Sequence, residues 1–152
     1  MGLEPAGRAT MTIDRRCVLC IDDNEDTCML LATWLAFSNC EVTSAFTMER
    51  GIAMAQTRCF DLYLVDSRLP DGSGLEVCRK IRAFDSFTPI LFWSGDDDAG
   101  AEAYAAGAQI FLAKPIDPDP FKKTLEELLV GVEAKRDERS LTCGHELPHR
   151  KG

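Results

Sequence analysis

The 152-residue sequence predicts an α/β domain: a five-stranded parallel sheet with helices on both faces. Three features lead to that expectation. Apolar, β-rich runs alternate five times with segments of helical periodicity, the pattern of repeated βα units. The runs are continuously apolar instead of alternating with polar residues, as expected of strands covered on both faces. Each is closed by polar or turn-forming residues, so the runs are short enough to be strands.

The elements follow in order. "CVLCI" (17–21) reads as the first strand and ends in Asp22 and Asp23. From Asn24 to Phe37, Leu30, Leu31, Trp34 and Leu35 mark one helical face. "CEVTSAF" (40–46) is the second strand, followed by a helix from about Met48 to Thr57. "FDLYLVD" (60–66) is the third strand; it runs into a turn at Pro70, Asp71 and Gly72. The next helix opens at Ser73, with Glu76 three residues on as a capping-box partner. "PILFWS" (89–94) is the fourth strand, and an Ala-rich helix then runs to Gly107, a suitable C-cap. "QIFLA" (109–113) is the fifth strand. The last helix follows Asp117, with Pro118 in its first turn, and continues through "FKKTLEELLVGV".

Composition sets limits on function. No apolar run approaches the roughly 18 residues of a membrane span, and the N-terminus lacks the apolar core of a secretory signal, so a cytoplasmic location is expected. A net charge of −8 repels nucleic-acid phosphates and anionic lipid, which argues against direct nucleic-acid or membrane binding. Seven cysteines is an odd number, and six lie within apolar segments, so they read as buried hydrophobes in a reducing compartment and not as a disulfide framework. Cys17 and Cys20 have metal-knuckle spacing but sit in a strand, where residues three apart face opposite ways. The expected organisation is a flexible segment over 1–13, one domain over 14–133 and a flexible charged tail over 134–152, with Met11 a candidate true start. Cys143, His145 and His149 in the tail have ligand chemistry, although a disordered tail explains them more simply.

In an open parallel sheet, ligands gather beyond the carboxyl ends of the strands. Asp22 and Asp23 follow strand one, Asp66 ends strand three, Ser94 ends strand four and Lys114 follows strand five. Two carboxylates about 4 Å apart repel by about 4 kcal/mol at an effective dielectric near 20, so their convergence calls for a cation. Mg²⁺ suits such a site because it takes hard oxygen ligands and readily adds phosphate oxygens. Lys114 opposite the metal would help offset the charge of a transferring phosphoryl group. Asp66, on the central strand with a turn clearing space above it, is the best nucleophile. Taken singly, each residue has a plainer role: Asp22, Asp23 and Asn24 as helix caps, Asp66 and Ser94 as turn residues, and Lys114 as a surface lysine. All those plain roles would have to coincide on one edge of one sheet.

The stretches "VLCIDDNED", "DLYLVDSRLPDGSGLEVCRKIR", "PILFWSG" and "AGAQIFLAKPID" resemble the response-regulator receiver domain of bacterial two-component signalling, over about residues 15 to 133. The resemblance implies the flavodoxin-like strand order 2-1-3-4-5. It also implies Asp66 as phosphoacceptor, Asp22 and Asp23 as the acidic pair for Mg²⁺, and the Arg68 backbone carbonyl as a further ligand. Ser94 becomes the switch hydroxyl, Lys114 the phosphoryl-contacting lysine and Phe111 the aromatic switch, and a cis Lys114–Pro115 bond is expected. The implied reaction moves a phosphoryl group from a sensor histidine kinase, or a histidine phosphotransfer protein, to Asp66. Ser94 then turns toward it, Phe111 packs into the vacated space, and the face of helix four, strand five and helix five changes its affinity for a downstream protein. Homodimerisation through phosphorylation is left open.

Two residues depart from the family pattern. Arg68 stands two after the acceptor, where a smaller or uncharged residue is usual, and Asp96 stands two after Ser94. They are expected to meet across the pocket mouth and restrict hydrolytic water. Phe111 lacks the hydroxyl of the Tyr often found there. The run Asp96, Asp97, Asp98 could repel an acidic partner, although a capped helix start explains it equally well. Among competing functions, a receiver-like interaction module that works without phosphorylation would not need complete acceptor chemistry. A phosphohydrolase of the haloacid dehalogenase type would need an Asp at position 68. "DGSG" lacks the spacing of a dinucleotide fingerprint. The 19 residues after Glu133 are too few for a DNA-binding unit, so an unexcised chain is expected to act through a protein contact without being an enzyme in its own right.

Overall fold

A computed structural model of the chain describes residues 15–115 and 117–129. Strand β1 (Arg16–Ile21) leads into helix α1 (Glu25–Ala36), β2 (Cys40–Ala45) into α2 (Met48–Thr57), and β3 (Leu62–Asp66) into α3 (Gly74–Arg82). Strand β4 (Ile90–Ser94) passes through a single 3-10 turn (Asp97–Ala99) to α4 (Gly100–Ala106). Strand β5 (Ile110–Ala113) precedes α5, helical over residues 118–129. The sheet order is β2-β1-β3-β4-β5 and every pairing in it is parallel. The predicted fold class and strand order are those observed. The sequence reading of the last helix beyond 129, the segment 1–13 and the tail 134–152 with Cys143, His145 and His149 lie outside the described residues.

Alternation along each strand divides the interior into two cores. Val18, Cys20, Leu62, Leu64, Leu91 and Trp93 pack with Cys28, Leu31 and Leu35 of α1 and Phe121, Leu125 and Leu129 of α5. Leu19, Ile21, Tyr63, Val65, Ile90 and Phe92 face the other way, against Ala55 of α2, Val77, Cys78 and Ile81 of α3, and Ala103 and Ala106 of α4. Each fully buried aliphatic side chain contributes about 1.5–3 kcal/mol by leaving water, so the two cores fix the strand register to which the site belongs. Cys17 and Cys20 fall on opposite sides of the sheet, as strand geometry requires.

Caps set the helix limits. Asn24 accepts from the Thr27 N–H, and Thr47 from the Arg50 N–H. Ser73 and Glu76 form the expected capping box, each side chain accepting from the other's backbone N–H. Gly107 ends α4 in the left-handed region, at φ 115°, where a side chain would be strained and would also collide with Arg82. Strands three, four and five begin one or two residues later than expected, although Asp61, Pro89 and Gln109 just before them still exchange backbone hydrogen bonds with Cys17, Tyr63 and Ile90 of the adjacent strands. Asp61 accepts from the Cys17 N–H, and the Gln109 Oε1 accepts from Ile90.

The cysteines need one correction. Cys20, Cys28, Cys40 and Cys78 are buried free thiols and Cys17 is a half-buried one, as expected. Cys59, however, is exposed in the loop after α2. The buried-hydrophobe reading fails there because the α2–β3 loop leaves that thiol outside both cores.

Gly74 gives the fold its clearest test. A Cβ there would lie 2.2 Å from the Asp66 carbonyl oxygen and 2.7 Å from Phe92 Cε2, with backbone unable to yield. Gly74→Ala is therefore expected to cost about 3 kcal/mol, the upper range for overpacking, as read by urea unfolding.

Candidate functional site

The parallel topology brings the ends of β1, β3, β4 and β5 to one edge. Asp22 continues the β1–β2 pairing through its N–H to the Ala45 carbonyl. Asp66 is the last residue of β3, paired with Trp93, and Ser94 is paired with Ala113 immediately before Lys114. The neighbouring backbone is tied down on several sides. Ser67 N–H donates to the Trp93 carbonyl, Gly74 N–H to the Ser67 carbonyl and Lys114 N–H to the Ser94 carbonyl. The Lys114–Pro115 bond is cis.

Carboxylate oxygens of Asp22, Asp23 and Asp66 all lie within 4.8 Å of one another. Lys114 Nζ donates to Asp66 Oδ1 at 2.8 Å and stands 3.8 Å from Asp22 Oδ2. Asp22 is fully buried, Asp66 and Ser94 are nearly so, and Asp23 faces solvent. Capping of α1 falls to Asn24, whose own N–H donates to Asp22 Oδ1. Asp22 Oδ2 receives no hydrogen bond from any of the described residues. A buried, ionisable oxygen without a donor is costly, and it identifies the place where positive charge is wanted.

The electrostatics agree. Burial pushes the Asp22 carboxyl up from 3.8 to about 6; the Asn24 N–H opposes this, the Asp66 charge adds to it, Lys114 subtracts and Asp23 adds. One lysine does not neutralise three carboxylates. Their all-oxygen donor set, one member solvent-facing and one with an orphaned oxygen, fits Mg²⁺.

Ser94 Oγ accepts from the Asp96 N–H at 3.0 Å. Phe111 already packs against the core beneath α4, its ring stacked on Phe92 at 6.2 Å between centroids, and its N–H donates to the Tyr104 hydroxyl. The expected meeting of Arg68 and Asp96 is not formed among the described residues. Asp96 Oδ1 instead accepts from the Asp98 N–H and caps the 3-10 turn, while Arg68 is exposed in a two-residue ladder with Ser73. A local cap outweighs an exposed ion pair, which contributes about 0–1 kcal/mol. One neighbour went unnoticed in the sequence: Lys114 Nζ lies 5.8 Å from the centre of the Trp93 ring, within cation–π range. Its only local signal is an aromatic residue just before Ser94.

The fold and this edge define an acidic-pocket signalling domain of the CheY kind. Residues 18–126 match the family described as the response regulator receiver domain, and the chain belongs to that family. Receiver domains serve bacterial two-component systems as phosphoacceptors and bind Mg²⁺ at an acidic cluster. The chain is 31% identical over 114 residues to the transcriptional regulatory protein ZraR of Salmonella typhimurium, covering 74% of this chain and 26% of that protein. It is 32% identical over 104 residues to the cell cycle transcriptional regulator CtrA of Caulobacter vibrioides, covering 67% and 45%. It thus spans between a quarter and a half of those two relatives. Among solved structures, a CheY-like receiver domain protein from Methanospirillum hungatei superposes with a TM-score of 0.75 at 25% identity, covering 80% of this chain and 99% of that one. The chemotaxis protein CheY4 of Vibrio cholerae gives 0.70 at 29% identity, covering 75% and 98%. Among the described residues no helix is long and apolar enough to cross a membrane.

Because folding raises the Asp22 pKa, the metal-free protein holds a proton that the unfolded chain releases. This contribution to stability is complete below about pH 4 and is lost as pH rises through about 6, on the order of 3 kcal/mol at about 1.4 kcal/mol per pH unit. Metal-free Asp22→Asn is accordingly expected to melt above the wild type at pH 8 and level with it at pH 4. Added Mg²⁺ should raise the wild-type midpoint more than that of the variant.

Proposed function

We propose that this receiver domain accepts a phosphoryl group on Asp66 from a phosphohistidine of a sensor kinase or phosphotransfer protein, and signals through a phosphorylation-dependent protein contact. The observation that supports this most strongly is the convergence of Lys114 and two further carboxylates on Asp66 from separate strand ends. In the proposed step an Asp66 carboxylate oxygen forms a bond to phosphorus. The phosphorus–nitrogen bond breaks, and the departing imidazole nitrogen keeps the electron pair and takes up a proton. Bound Mg²⁺, held by Asp22, Asp23, Asp66 and the Arg68 carbonyl, would draw negative charge from the phosphoryl oxygens.

Lys114 holds Asp66 Oδ1 before transfer and is positioned to shift its ammonium group onto a phosphoryl oxygen afterwards. Ser94, now accepting from Asp96, can rotate its O–H to donate to that group. Phe111 and Tyr104 lie on the β5 and α4 side of the site, so movement there reaches the face formed by α4, β5 and α5. That face is the proposed surface for the downstream partner. Arg68 and Asp96, unpaired with each other here, would tune hydrolysis separately: Arg68 by its exposed charge beside the pocket and Asp96 through its hold on Ser94.

Incubation with acetyl phosphate and Mg²⁺ is expected to add one phosphoryl group, seen by intact mass, and none to Asp66→Asn. An equal adduct on Asp66→Asn would place the acceptor elsewhere. Lys114→Ala should retain Mg²⁺ binding but slow phosphorylation about 10²-fold, the usual consequence of removing one positioned charge-stabilising donor.

A further inference from the structure

Between Asp66 and α3 the chain forms a very short hairpin, Arg68–Leu69 paired with Gly72–Ser73, with Pro70 and Asp71 at its tip. Two residues of pairing on each side cannot hold a hairpin rigid without outside support. That support comes from 22 and 23 residues away along the chain. Met48 N–H donates to Asp71 Oδ1 at 2.7 Å, and Glu49 N–H donates to Asp71 Oδ2 at 2.9 Å. These are the first two N–H groups of α2, which no carbonyl within the helix can satisfy. With the Arg50 N–H taken by Thr47 and the Gly51 N–H by the Thr47 carbonyl, the first four donors of α2 are all engaged. Packing reinforces the contact: a Cβ at Gly72 would lie 2.7 Å from the Met48 thioether.

We propose that Asp71 is a positioning residue for the acidic pocket, locking the hairpin that carries Arg68 to the start of α2. This rests on the reading of the pocket as a Mg²⁺ site, in which the Arg68 carbonyl completes the ligands supplied by Asp22, Asp23 and Asp66. Charge-assisted hydrogen bonds of this kind are among the stronger ones, and the Glu49 and Met48 N–H groups hold the Asp71 carboxyl below its ordinary pKa. The carboxylate ligands sit on or beside the main sheet and are fixed by its register. The Arg68 carbonyl lies off the main sheet, between Ser67, whose N–H donates to the Trp93 carbonyl, and the core residue Leu69, and the hairpin with its tether holds the remaining side. Mg²⁺ demands near-octahedral geometry, so a loose backbone ligand is felt directly as lost affinity. Asp71 thereby couples the start of α2, at the end of β2, to the loop that follows the acceptor.

The test is calorimetric titration of the full chain with Mg²⁺ alone, in wild type, Asp71→Ala and Thr47→Ala. Thr47→Ala removes a cap from the same helix end but leaves the hairpin tethered, so it reports what merely fraying α2 does. Asp71→Ala is expected to weaken Mg²⁺ binding about 10-fold, the lower range for losing a residue that orients a metal ligand, with Thr47→Ala unchanged. Amide exchange at Met48 and Glu49 should accelerate in Asp71→Ala. Should Asp71→Ala fail to fold, Asp71→Asn, which keeps one acceptor oxygen, is expected to show a smaller weakening. Equal affinity in wild type and the Asp71 variants, or an equal loss in Thr47→Ala, overturns the positioning role. A wild type that binds no Mg²⁺ overturns instead the reading of the pocket on which that role rests.

Discussion

Like charges forced together where a parallel sheet ends are the constraint on which the rest of this molecule depends. Asp22, Asp23 and Asp66 would separate if the chain allowed it, and the fold does not allow it. Strands β1 and β3 are hydrogen-bonded neighbours with every described residue of β3 buried, so the carboxylates at their ends stay close whatever the repulsion. The cost shows in the Asp22 carboxyl, whose proton affinity is raised first by burial and then by the charges of Asp66 and Asp23. Only partly relieved by Lys114, the repulsion is the driving force for the proposed uptake of a cation, which would let a phosphoryl group approach Asp66.

The two apolar cores act on function through stiffness. Trp93 and Phe92 are adjacent in β4 but belong to opposite cores. Trp93 flanks the Lys114 ammonium, and Phe92 stacks on Phe111. The strand that ends in Ser94 is therefore linked on one side to the charge that meets Asp66, and on the other to the aromatic ring near the proposed partner face. A close-packed interior resists continuous deformation, so a change at Ser94 has few ways to be absorbed other than movement of α4 and β5.

Much of this was legible in the sequence, for identifiable reasons. Continuous apolar runs specify strands covered on both sides, and chain order with a parallel sheet places Asp22, Asp23, Asp66, Ser94 and Lys114 on one edge before any coordinates are known. Ser73 with Glu76 and Gly107 marked helix ends because their signals are local. What escaped depends on partners distant along the chain or on competition between contacts. Asp71 reads as a turn residue between Pro70 and Gly72; nothing nearby announces that its oxygens serve α2. Asp96 beside Ser94 suggested an ion pair with Arg68, yet it caps its own turn. Cys59 looked like its buried counterparts, but lies in a loop outside the cores. The division of labour between the two Asp22 oxygens, one accepting from Asn24 and one without a donor among the described residues, is a matter of angstroms that no spacing rule encodes.

The central claim is that the three carboxylates form one cation site around Asp66. It is tested most directly by soaking crystals of the protein with Mn²⁺, an oxygen-preferring stand-in for Mg²⁺, and measuring anomalous scattering. A single strong peak between Asp22, Asp23 and Asp66 is the predicted result. No peak there, or a dominant peak elsewhere on the acidic surface, would contradict it.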